Sequence, residues 1–104
     1  MDGPPDIASN KLLALFGRAM LRDFLDVYVL VRQGGFSQAV LIEQAERKDP
    51  GFDRYWFGVA LERIKTFPEA APELLMLITP VAFGEVREFF IRWRDDIMRG
   101  LVTS

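Results

Sequence analysis

A stripe of apolar residues near the C-terminal end, Val86, Phe89, Phe90, Trp93 and Ile97, most constrains what this chain can become. The three-and-four spacing puts all five on one face of a helix, with Arg, Asp and Glu on the opposite face. Such a helix, expected over about 82–100, needs an apolar surface to lie against. The rest of the chain offers more of the same period. Leu12, Leu15 and Phe16, with Ala8 one turn earlier, make a stripe for a first helix that ends near Gly17. Leu21, Phe24, Leu25 and Tyr28 make a second, over about 20–33. Gly34-Gly35 stops it. Val27 to Val31 is apolar at every position, which predicts burial all round.

Local signals mark the remaining boundaries. Asp6 or Ser9 can cap the first helix. Ser37 can cap a third helix running to about Lys48, with Phe36 and Leu41 at hydrophobic-staple positions. Arg47 and Lys48 suit its C-terminal dipole. Asp49-Pro50-Gly51 reads as a turn. Asp53 then caps a fourth helix, with Phe52 and Phe57 as its staple. Trp56, Phe57, Ala60, Leu61 and Ile64 are assigned to its buried side, and it ends before Pro68. Leu74 to Ile78 is a short apolar run that periodicity leaves open between helix and extended chain. The expectation is an all-α, compact bundle of about five helices with short loops. It has a flexible lead-in over 1–5 and one domain over 6–104.

Composition narrows the chemistry. The 104 residues are enough for one core without staples. Cys and His are both absent, which removes disulfides, thiolate nucleophiles, imidazole bases and most zinc sites. A net charge of −2 gives no broad electrostatic footprint for nucleic acid, so any such contact must be local. No apolar run approaches the ~18 residues of a membrane span, and no signal peptide is recognised. A cytoplasmic protein with no membrane partner is expected. Gly34 to Ala39, GGFSQA, is similar to the turn of some winged-helix regulators. The following LIEQAERKDPGFDRYW supplies no recognition helix, so DNA is not an expected partner.

The candidate site lies between the first two helices. Lys11 and Arg18 are seven apart, two turns and one face. Asp23 and Asp26 are three apart, and Arg22 is four before Asp26, a spacing that can pair them. One reading is structural: carboxylates favoured by the helix dipole, worth ~0.3–1 kcal/mol each, and cations on a solvated face. The other is a phosphate contact by Lys11 and Arg18, with the carboxylates holding Mg²⁺ or orienting a cation.

The order Asp6-Ile7-Ala8-x-Asn10-Lys11-x-x-Ala14-Leu15-x-Gly17-Arg18, then Arg22-Asp23-x-x-Asp26-Val27-Tyr28-x-Leu30, resembles the AbiEii/AbiGii nucleotidyltransferase-like toxin family. That family serves in type IV toxin–antitoxin and phage-abortive systems. It joins a nucleotidyltransferase sheet to a C-terminal helical half, with this signature at the junction. The resemblance implies that Lys11 approaches nucleotide phosphates and that Asp23 and Asp26 are active-site carboxylates, as catalytic or metal-holding groups. It gives Arg18 and Arg22 the place of the motif's nucleotide-side arginines. Met20 departs from the motif, where a polar or charged residue is commoner. The glycine-serine loop and metal-binding acidic pair of the sheet have no counterpart here. The implied chain is therefore a helical half, fragment or split subunit, silent alone. It would use Mg²⁺ and an NTP only when completed by an N-terminal nucleotidyltransferase domain or subunit, with an antitoxin as a further partner. The alternative is a self-standing interaction module or homodimer with a vestigial site.

Overall fold

The computed structural model describes the backbone of residues 4–67 and 80–103 and the side chains of 7–67 and 83–101. The chain is an all-α bundle. Among the described residues five α-helices follow one another: α1 (Pro4–Arg18), α2 (Leu21–Arg32), α3 (Gln38–Lys48), α4 (Arg54–Leu61) and α5 (Pro80–Thr103). A 3-10 turn, Glu62–Thr66, extends α4. No strand occurs among the described residues. The apolar run Leu74 to Ile78 lies outside them.

The expected punctuation is largely present. Asp53 accepts a hydrogen bond from the Trp56 N–H at 3.2 Å and so caps α4. Phe52 and Phe57 behind it are both buried, with ring centroids 5.4 Å apart. At the end of α2, Gly35 has φ of +76°, and a Cβ on Gly34 would lie 2.7 Å from the Leu30 carbonyl oxygen. Both positions therefore demand glycine, which is why the helix stops there. Ser37 has the extended backbone of an N-cap, but its side chain makes no capping bond.

Two boundaries differ. The first helix begins at Pro4, inside the expected lead-in, because proline is well suited to a first helical turn. Asp6 and Ser9 are thus inside α1 rather than before it. Ser9 is buried and donates to Gln44 Oε1 of α3 at 3.4 Å. The corner after α1 uses Ala19 at φ +52°, a left-handed position filled without glycine.

The core is where all five helices converge, with Leu41 and Ala45 of α3 fully buried in it. Leu12, Leu15, Phe24, Phe57, Leu61, Ile64, Val86 and Phe90 are fully buried. Phe24 meets Phe90 edge-on at 5.0 Å, and Phe57 meets Trp93 at 5.3 Å, the offset geometry that ring quadrupoles favour. The α5 stripe is thus the packing face its spacing predicts. The all-round burial expected for Val27 to Val31 is not found. Val27 is fully buried but Val29 is 46% exposed, because neighbours cover only one side of α2. Among the described residues, no helix is long and apolar enough to cross a membrane.

Candidate functional site

The corner between α1 and α2 brings four of the five expected residues into two ion pairs. α2 folds back on α1, so Lys11, two turns before the corner, reaches past it. Its Nζ lies 3.1 Å from Asp26 Oδ2, and both side chains are part-exposed. Arg18 Nη2 lies 2.7 Å from Asp23 Oδ1. The other oxygen of Asp23 accepts the Met20 N–H at 3.1 Å, which satisfies one of the orphan donors at the start of α2.

These contacts correct the pairing expected from spacing. Arg22 does not pair with Asp26. It is exposed, and its side chain makes no hydrogen bond or ion pair with another described residue. Lys11 takes Asp26 instead, across the helix–helix contact. A partner on a neighbouring helix competes with an i, i+4 pair worth only ~0.2–0.5 kcal/mol.

The two aspartates are unlike. Asp23 is 2% exposed, with both oxygens engaged inside the protein. Asp26 faces solvent beside Lys11, and only Oδ2 is engaged. Mg²⁺ takes about six oxygen ligands. A carboxylate committed to Arg18 and a backbone N–H is poorly placed to supply one. Among the described residues no group of three His, Cys, Asp or Glu could hold a metal. Among the described residues, this pair of aspartates does not make a shell for a resident Mg²⁺. The corner can instead present cations: Lys11, Arg18 and Arg22 are exposed, and Asp26 is the part-exposed carboxylate among them. Ile7, Met20 and Val29 add large exposed apolar side chains to the same two helices.

Two clefts lie elsewhere. One of about 450 Å³ runs between Arg32 and Gln38 and the Glu85, Glu88 and Arg92 side of α5. The next, about 380 Å³, is floored by Ile42, Ile97 and Leu101. Gln38, Trp93 and Asp96 line both. None of the five corner residues lines either cleft.

Sequence reasoning also misplaced one aromatic ring. Trp56, assigned to the buried side of α4, is 59% exposed, and Tyr55 is 49% exposed. Their rings meet edge-on at 5.1 Å. The signal was available: Tyr55, Trp56 and Phe57 are consecutive, and a helix turning ~100° per residue cannot bury all three. Phe57 took the core.

The chain is 31% identical over 90 residues to an uncharacterized protein of Aquifex aeolicus. The shared stretch takes in 86% of this chain and 42% of that relative, so the chain spans less than half the relative's length. No family model matches the chain, and no solved structure does.

Proposed function

We propose that this chain is the helical half of a nucleotidyltransferase-like toxin, a fragment or a split subunit, completed by a separate catalytic domain. The observation that carries the reading is the meeting of Lys11 and Asp26 at 3.1 Å on an exposed corner, ringed by Arg18 and Arg22. In the completed enzyme Lys11 and Arg22 contact the phosphates of an NTP. Asp26 orients Lys11. Asp23 is a positioning residue that holds Arg18 and the start of α2. The metal carboxylates come from the partner, since the described corner offers at most Asp26. Transfer of a nucleotidyl group to an RNA or protein acceptor then proceeds with Mg²⁺ supplied there. The Aquifex relative has ample chain beyond the shared stretch to hold such a domain.

Calorimetry with NTP and Mg²⁺, with and without the candidate N-terminal partner, tests this. The pair should bind nucleotide where neither part does, and Lys11→Ala should weaken that binding. A pair that binds no better than its parts would remove the proposal.

One observation favours a second reading, a self-associating helical module. Ile7 on α1, Met20 at the corner and Val29 on α2 are large apolar residues left exposed. A second copy covering them would remove that area from water. Sedimentation that finds a tight homodimer, together with no nucleotide binding by the completed pair, selects this reading.

A further inference from the structure

The corner where α3 ends and α4 begins carries a different chemistry. Arg54 donates two hydrogen bonds to Glu46, at 3.0 and 2.9 Å, and ties the last turn of α3 to the first residue of α4. Tyr55 and Trp56 stand exposed beside this tie. Trp56 and Arg63 are seven apart along α4 and its 3-10 extension, roughly one face over two turns.

The charges around the pair are asymmetric in their commitments. Of the carboxylates around the pair, Glu46 is engaged by Arg54, Asp49 by the Gly51 N–H, Asp53 by the Trp56 N–H and Glu62 by Arg94, while Glu43, one turn before Arg47, is exposed and acts on Arg54. Arg47, Lys48, Arg63 and Lys65 are exposed, and their side chains make no hydrogen bond or ion pair with another described residue. Exposed rings supply faces on which bases stack, and uncommitted cations on either side supply phosphate contacts. An apolar protein partner would gain from the rings but would have to bury the cations unpaired, which is costly.

We propose that Tyr55 and Trp56, flanked by Arg47, Lys48, Arg63 and Lys65, form a binding site for a single-stranded polynucleotide. The site is local, which reconciles it with the acidic balance of the whole chain. It stands independently of the nucleotidyltransferase reading, because it needs neither NTP nor a partner domain.

The test is fluorescence anisotropy of a labelled oligouridylate of about twelve residues, the scale of such sites, with a deoxy-oligomer and a duplex in parallel. Trp93 is 3% exposed, so quenching of tryptophan emission reports on Trp56. Saturable single-strand binding should weaken as salt rises. Trp56→Ala should weaken it about fivefold or more, and Tyr55→Ala should also weaken it. Arg47→Gln with Lys48→Gln should reduce the salt slope by about 0.7 for each phosphate no longer neutralised, the single-strand value. These residues are exposed, so the variants should fold, as circular dichroism will show. Comparison of the RNA and DNA arms identifies the sugar preferred. No saturable binding at low salt, tighter binding to duplex, or indifference to Trp56→Ala overturns the proposal. Trp56-dependent capture of a protein without oligonucleotide binding overturns it too, and gives the patch to that protein.

Discussion

The contact between α4 and α5 and the corner between α1 and α2 are both helix–helix junctions, built on opposite principles. At the first, Phe57, Phe90 and Trp93 interlock with almost no water, and each ring has aromatic neighbours. At the second, Lys11–Asp26 and Arg18–Asp23 sit at the surface edge, and only Asp23 is taken fully inside. The first junction draws its energy from removed apolar area, which is large and non-directional. The second draws little from its exposed pairs, whose desolvation and side-chain ordering nearly cancel the attraction. A surface that contributes little to holding the fold together is free to serve a ligand or partner.

The contrast can be broken most forcefully at Phe90. Phe90→Ala should cost about 3–5 kcal/mol, because the cavity it leaves is walled by other rings. Denaturant unfolding measures it. A loss below about 1 kcal/mol would mean that the aromatic wall is not the stabilising element.

Next comes the difference between the two corner pairs. Asp23→Ala strips a cap from the Met20 N–H and a partner from Arg18, and should cost about 1–2 kcal/mol. Lys11→Ala should cost less than about 1 kcal/mol. Thermal melts of the two variants side by side are sufficient. Equal losses would erase the distinction between a structural and a solvent-facing carboxylate.

A smaller effect of opposite sign is expected at the corner itself. Ala19 holds φ of +52°, and Ala19→Gly should relieve that strain. The gain is about 0.5–1 kcal/mol, set against the small loss of a buried methyl. If glycine destabilises the protein, the methyl is the more important feature of the position.

The smallest effect is a pH dependence. Hydrogen bonds from Arg54 hold the Glu46 carboxyl below its ordinary range. A depressed folded-state value means that the stabilisation is complete above the ordinary glutamate range and is lost as pH falls through the lowered one. The pair is well exposed, so the contribution is on the order of a few tenths of a kcal/mol. Comparing Glu46→Gln with the parent chain across acid pH should show the gap closing as pH drops. A gap that persists at the acid end would trace the effect to something other than this ionisation.

Much of the architecture was legible in advance. The α5 stripe, the Asp53 cap with its Phe52–Phe57 staple, and the Gly34-Gly35 stop all act through residues a few positions apart. The candidate site was legible only as a set of residues. Spacing assigned Arg22 to Asp26, whereas Lys11, fifteen residues away, took that carboxylate. Val29 and Trp56 belong to apolar runs, and nothing in the runs says which member is left outside.

The amino-acid order by itself determined the helices, most of their ends and the main stripes that had to be buried, because helical periodicity and capping are short-range properties of the backbone. Only the tertiary structure decided which cation met which carboxylate and which aromatic rings were left in water. Those outcomes depend on how each helix is rolled and crossed against its neighbours. That geometry is set by packing between residues far apart in the chain.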